Sequence, residues 1–327
     1  MAKIYYDGDA DMGVLRGKVV AIIGYGNQGR AQALNIRDSG VEVVVGGLPD
    51  ATLEQAKEDG FRTMSVSEAA AEGDIVCLLI PDEVQQQVYE EEIRPQLRPG
   101  KALDFAHGYT VHYGLIAPPE DVDVVMVAPR MIGVGVRDAY AEGKGVPAFV
   151  AVHQDGSGEA WPKVLALARA IGCTRAGAIE STFAEETELD HFSEHFVWPA
   201  MFRVLVGSFE FLTEKGYQPE AVLMELWGSK ESAEVLEQMA EVGIFEQMAF
   251  HSLTSQYGTL TRMESALPGA VRECMEAALA EIKDGSFAQE WEAERAAGYP
   301  VFKRLKEAAL GHPVGEVERE MRERVRG

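Results

Sequence analysis

Several groups of residues in this sequence have types and spacings suited to chemistry. The first is Gly24-Tyr25-Gly26-Asn27-Gln28-Gly29, which follows the apolar run Val19-Val20-Ala21-Ile22-Ile23 and precedes a helical stretch. In that setting the first glycine permits a tight turn, the second lets backbone approach a pyrophosphate, and the third packs helix against strand. The helix that starts there would face the phosphates with free N–H groups. Its place between strand and helix, more than the glycines alone, makes it a dinucleotide site. The second is Asp50, 21 residues after Gly29, near the spacing of the acid that accepts hydrogen bonds from the adenosine ribose. No Arg or Lys stands between Val41 and Leu53 to neutralise a 2′-phosphate, which predicts NADH over NADPH. Asp50 could also cap a helix starting near Thr52, and the two roles are compatible. The third is His107, which follows a predicted strand at the edge where α/β sheets bind ligands, and is expected to reach the active site. His191 and His195, four apart, have the spacing of transition-metal ligands with Glu194, although shaping a pocket is the simpler reading.

Positioning such groups takes an α/β domain. Short β-branched runs at 19–23, 41–45, 75–79, 102–105, 124–127 and 148–152 read as strands, and 28–39 and 53–59 as helices between them. Turn signals fall at the right intervals: Asp38-Ser39-Gly40, Pro49-Asp50, Pro99-Gly100 and Asp155-Gly156. Beyond Glu185 the texture changes to Glu-, Met-, Leu- and Ala-rich helical segments with no convincing strand, clearest at 231–241, 270–283 and 316–326. The boundary is placed between Ile179 and Phe183. This gives a Rossmann NAD(P)-binding domain at 1–181 and a helical domain at 182–327.

With 327 residues and 46% hydrophobic side chains, the chain has room for two real cores. A net charge of −23 argues against nucleic acid as a partner. No apolar run is read as long enough to span a bilayer and the N-terminal residues lack a secretory apolar region, so the expectation is a cytoplasmic protein without a membrane partner. Cys77, Cys173 and Cys274 lie far apart and are expected to be buried, reduced thiols.

Several blocks resemble the ketol-acid reductoisomerases, in that family's order from end to end. They include Ile22-Ile23-Gly24-Tyr25-Gly26-Asn27-Gln28-Gly29, Ile80-Pro81-Asp82-Glu83, Phe105-Ala106-His107-Gly108, Glu142-Gly143-Lys144-Gly145-Val146-Pro147 and Glu185-Glu186-Thr187-Glu188-Leu189-Asp190. Gly216-Tyr217-Gln218-Pro219-Glu220 and Asp284-Gly285-Ser286-Phe287-Ala288 continue the likeness into the helical half, which resembles the short-chain class of the family. The resemblance implies a Rossmann domain followed by a knotted helical domain, and a homodimer whose active sites are shared between copies. It implies cofactor contacts from Pro81, Asp82 and Gly133 as well as the glycine loop. It also implies reduction and isomerisation of acetolactate-type acids in branched-chain amino-acid biosynthesis, with a nicotinamide and two Mg²⁺ ions. The alkyl shift needs an alcohol deprotonated beside a polarised ketone, work suited to two Lewis acids.

Asp190 and Glu194 match the family's first pair of metal ligands, and Glu225 the first member of its second pair. The partner of Glu225 is replaced by Ser229, beside Gly228 and Lys230. The family's catalytic Lys is replaced by Arg130, followed by Met131-Ile132-Gly133 in place of Gly-Pro-Gly, and Arg cannot shuttle protons as Lys does. The family's substrate-binding Ser aligns with Ser252. His191, His195, Phe196, Trp198 and Pro199 stand where the resemblance implies small neutral residues, and Trp227 adds another ring.

The residues serving fold and nucleotide are thus kept, and those serving isomerisation are changed. The leading expectation is therefore a reductase acting on a C=O or C=N substrate, such as a 2-oxo acid or an imine, larger or more aromatic than acetolactate, with the alkyl shift lost and at most one Mg²⁺ per site. The alternatives are a complete ketol-acid reductoisomerase and a nucleotide-binding protein without catalysis.

Overall fold

The computed structural model describes residues 1–267 and 269–324, in two compact units, Met1–Asp190 and His191–Gly327. The first unit is built on a nine-stranded sheet: β1 (Ile4–Tyr5), β2 (Val19–Ile23), β3 (Glu42–Gly46), β4 (Arg62–Met64), β5 (Ile75–Leu78), β6 (Ala102–Phe105), β7 (Asp123–Pro129), β8 (Ala148–Gln154) and β9 (Ala178–Glu180). Their spatial order is β1-β9-β8-β7-β6-β5-β2-β3-β4. All six strands expected from the sequence are present. The three it did not reveal, β1, β4 and β9, have two or three residues each and lie at or next to a sheet margin, too short for a periodic signal.

Alternation along the strands fills two cores, one on each face of the sheet. From β2, Val20 and Ile22 enter one and Ala21 and Ile23 the other. A sheet buried on both faces explains why these strands read as unbroken apolar runs. Strands β4 to β7, with β2 and β3 among them, run parallel, whereas β7 and β8 pair antiparallel. The carboxyl ends of β2, β5, β6 and β7 therefore share one edge. The chain passes from β2 outward to β3 and β4, then returns to β5 on the other side of β2. A crevice at that reversal is where open α/β sheets bind ligands.

Among the described residues the second unit contains helices and turns and no strand. The expected segments appear as Glu231–Val242, Val271–Lys283 and Val314–Arg324; residues 325 and 326 of the last expectation lie outside the described residues. Two π-helical turns, Ser193–Val197 and Met224–Gly228, interrupt the α-helical pattern. The buried apolar centre consists of Phe209, Val222 and Leu223, with Leu212, Leu226, Trp227, Val314, Val317 and Met321 packed on it.

The helical stretch Phe183–Glu214 contains a window that by length and composition alone is apolar enough to cross a membrane, although charged residues such as Glu194 and Arg203 leave no unbroken apolar run of that length. One expectation needs correction. Cys77 and Cys173 are buried, but Cys274 is exposed, on a helix with one buried residue, Ile282.

Candidate functional site

The turn after β2 has the shape of a phosphate cradle. Gly24 adopts φ +91°, and a Cβ there would sit 2.9 Å from the Leu79 carbonyl oxygen. A Cβ on Gly29 would come within 2.0 Å of the Gly24 carbonyl oxygen, so only glycine lets the helix Asn27–Asp38 start this close to the strand. Gly26 faces open space, and no side chain caps this helix N-terminus. Open space above uncapped N–H groups fits the pyrophosphate of a dinucleotide. Tyr25 belongs to the loop by its backbone only. Its ring is buried, its hydroxyl donates to Asp59 Oδ2 at 2.8 Å, and burial together with that carboxylate raises its pKa.

Asn27 and Gln28 tie this loop to the one after β7. Gln28 Nε2 donates to the Met131 carbonyl at 2.8 Å, and the Gly133 N–H donates to Asn27 Oδ1. A Cβ on Gly133 would lie 1.9 Å from the Asn27 carbonyl oxygen, so the contact requires glycine. Asp50 caps the helix Ala51–Glu58, accepting from the Thr52 and Leu53 N–H groups. The Thr52 hydroxyl and those two N–H groups hold its carboxyl below the usual range.

The loops after β5, β6 and β7 and the helix Phe183–Phe192 bring five charged side chains together. His107 Nδ1 lies 3.0 Å from Asp82 Oδ2, and its Nε2 is 3.6 Å from Asp190 Oδ2 and 3.9 Å from Glu186 Oε2. Burial disfavours the imidazolium, but the hydrogen bond to Asp82 and the charges of Asp82, Glu186 and Asp190 outweigh it and raise the pKa to about 9. Arg130 forks across two carboxylates: Nη1 donates to Glu186 Oε1 at 2.8 Å and Nη2 to Asp190 Oδ1 at 2.5 Å. Glu186 is almost wholly buried, and its Oε2 accepts from the Gly108 N–H at 2.8 Å. Burial raises its carboxyl, against the pull of His107, Gly108 and Arg130.

Asp82, His107, Arg130 and Asp190 are thus brought together, with Pro81 at the start of Asp82's helix. Glu186 is not among the residues the sequence points to. It precedes Asp190 by four residues and so shares a helix face with it, but that spacing alone does not set it apart from the other Glu residues of this acidic helix.

Glu194, Glu225 and Ser252 belong to the helical unit. Glu194 lies in the first π-helical turn. Glu225 lies in the second and lines a cavity of about 710 Å³ with Met201, Val204, Leu205 and Leu236. Ser252 caps the helix Leu253–Arg262, accepting from the Ser255 N–H. The helix carrying Glu225 stops at Ser229, and Lys230 takes a left-handed φ of 69° before Glu231–Val242 begins. Among the described residues, no group of three or more His, Cys, Asp or Glu side chains is placed to hold a metal ion. In the first unit the reason is visible: Arg130 already engages one oxygen of Glu186 and one of Asp190, while Gly108 engages the other Glu186 oxygen. Within one copy, Glu186 and Asp190 with Arg130 across them do not supply the near-octahedral oxygen ligation that Mg²⁺ wants.

Residues 14–177 match the family profile described as acetohydroxy acid isomeroreductase, NADPH-binding domain, and residues 183–326 match ketol-acid reductoisomerase, C-terminal domain. The chain is 47% identical over 324 residues to a protein from Pyrobaculum calidifontis named ketol-acid reductoisomerase (NADP(+)), covering 98% of each. It is 46% identical to one of the same name from Saccharopolyspora erythraea, covering 98% of this chain and 96% of that one. A solved structure described as an NADH-preferring ketol-acid reductoisomerase from an uncultured archean superposes with a TM-score of 0.94 at 40% identity, covering 99% of this chain and 100% of that one.

Proposed function

The chain belongs to the ketol-acid reductoisomerase family, an NAD(P)H-dependent oxidoreductase with a Rossmann and a helical domain, and on that premise we propose that it reduces a small ketol- or 2-oxo-acid at the carboxyl edge of its sheet. The observation that carries this reading is His107 and Arg130 standing on the loops after β6 and β7, along the edge that also holds the uncapped helix end. Bound there, a nicotinamide supplies the hydride. Arg130, held by Glu186 and Asp190, brings a fixed positive charge to that edge, which favours an anionic substrate. His107, oriented through Nδ1 by Asp82, offers its other ring nitrogen to the oxygen that gains the proton.

The first reading is the complete family reaction, an alkyl shift in an acetolactate-type acid followed by reduction. Relatives of that name over the whole chain support it, and they lend no support to a lost isomerase step. The second reading, reduction alone, is favoured by one specific observation: Arg130 occupies the carboxylates of Glu186 and Asp190, and Ser229 stands where the resemblance calls for a carboxylate. Supplying 2-acetolactate, and separately the 2-oxo acid that its methyl shift would produce, distinguishes them. Dihydroxyisovalerate from both substrates establishes the first reading. Reduction of the shifted acid alone establishes the second, and no turnover of either rejects both.

The cofactor reading is NADH in preference to NADPH. It rests on the Asp50 carboxylate and on the absence of a base between Val41 and Leu53. One unfavourable charge contact predicts about tenfold weaker NADPH binding; equal affinities in a fluorescence titration would reject it. The assembly reading is a homodimer with shared sites, supported by exposed Trp198, Phe202 and Phe211 on the helical unit. A folded monomer in sedimentation at micromolar concentration would contradict it.

A further inference from the structure

We propose that Arg130 is the resident cation of this site, its guanidinium bridging Glu186 and Asp190 where a divalent ion would otherwise approach the Asp190 carboxylate. The inference deepens the reduction-only reading and is read out by binding, not turnover. Three observations carry it. The Glu186 side chain is only 1% exposed, and a carboxylate taken that far from water needs a partner charge. Arg130 provides that charge in a bidentate bridge reaching Asp190 as well. The guanidinium is also fixed from behind. Its carbon lies 5.2 Å from the centre of the Phe149 ring, and the residue's backbone N–H donates to the Pro147 carbonyl at 2.9 Å, anchoring the chain from which the side chain extends.

An incoming divalent ion would have to displace the guanidinium from Glu186 and Asp190 and then sit beside it, with the His107 imidazolium also facing the same two carboxylates. A lysine at this position would present a compact point charge, unable to span both carboxylates with a flat fork. The arginine therefore decides what the carboxylates hold.

Manganese(II) titration, following loss of the free-ion electron paramagnetic resonance signal, tests this with the full-length protein. Wild type should take up no Mn²⁺ dependent on Glu186 and Asp190. Arg130→Ala should gain at least about tenfold in affinity, the effect of removing one opposing charge contact. Arg130→Lys should fall between the two. The gain must disappear when Glu186→Gln and Asp190→Asn are added to Arg130→Ala, which separates it from diffuse binding to a strongly acidic surface. NAD(P)H binding and circular dichroism identify variants that remain folded. Wild-type uptake as tight as that of Arg130→Ala overturns the proposal. So does the absence of any gain in a folded Arg130→Ala variant, or a gain that survives loss of both carboxylates. Failure of every substrate in the turnover assay would reject the functional readings and leave this titration interpretable.

Discussion

The two units spend their apolar residues differently. In Met1–Asp190 the sheet is sandwiched between two large clusters, with Ile22, Ile23, Leu103, Phe105 and Met126 almost completely shielded. In the helical unit, the described apolar side chains that reach burial are Phe209, Val222, Leu223, Ile282 and Ala288, while Trp198, Phe202, Phe211, Phe245, Phe250 and Tyr257 remain exposed. Similar residue types thus meet opposite fates. The sheet unit completes its core with its own chain, whereas the helical unit leaves apolar faces of its amphipathic helices exposed.

The largest effect that tests this contrast is core truncation. Phe105→Ala, in the middle of the sheet, should destabilise by about 3–5 kcal/mol. Phe202→Ala, on an exposed helix face, should leave unfolding of the sheet unit changed by less than about 0.5 kcal/mol and instead shift sedimentation toward smaller species. Equal stability losses in denaturant titrations would erase the distinction. Next in size is a glycine pair. Gly29→Ala should weaken NAD(P)H binding about a hundredfold or more, roughly 2.7 kcal/mol, because the added Cβ meets a carbonyl oxygen at 2.0 Å. Gly207→Ala, whose Cβ would have only the Arg203 guanidinium carbon at 4.0 Å, should leave binding untouched.

A third prediction concerns pH. Asp104 on β6 is fully buried; its Oδ1 accepts from the Val127 N–H at 3.1 Å. Burial raises its carboxyl well above the ordinary value, against the hydrogen bonds that favour the anion. An acid whose folded pKa is raised gives its full contribution below the unfolded pKa and loses it as pH rises through the folded one, because the unfolded chain ionises first. Asp104→Asn should therefore gain about 1–2 kcal/mol at neutral pH and flatten the fall in stability toward alkaline pH. An unchanged slope would show that the carboxyl is ionised in the fold. The smallest effect is at Lys230. Its left-handed backbone predicts that Lys230→Gly stabilises by about 0.5–1 kcal/mol, seen as a raised denaturation midpoint.

What could be read from the sequence follows the same division. The central strands were legible because burial on both faces makes them continuous apolar runs, and β1, β4 and β9 escaped because two or three residues carry no period. Asp82, His107, Arg130 and Asp190 were identifiable by strand ends and family blocks. Glu186 was not, because a buried ion-pair partner looks like any other Glu on an acidic helix. Tyr25 sits inside the glycine loop by spacing, yet its ring turns toward Phe61 and Asp59; the direction of a side chain leaves no trace in spacing. The π-helical turns holding Glu194 and Glu225 were equally hidden, since one wide turn does not alter composition.

The uneven burial of the thiols has a practical consequence for spectroscopy. Cys77 and Cys173 are shut inside the sheet unit, the first raised well above its ordinary pKa and the second to about 12, both chiefly by burial. A thiolate is the reactive form, so neither should react with a maleimide while the protein is folded. Cys274 is exposed on the helix Val271–Lys283. The natural chain therefore carries a built-in address for one dye in the unit whose assembly is in question. Homotransfer between identical dyes, lost on dilution, would read the distance between copies without altering a residue.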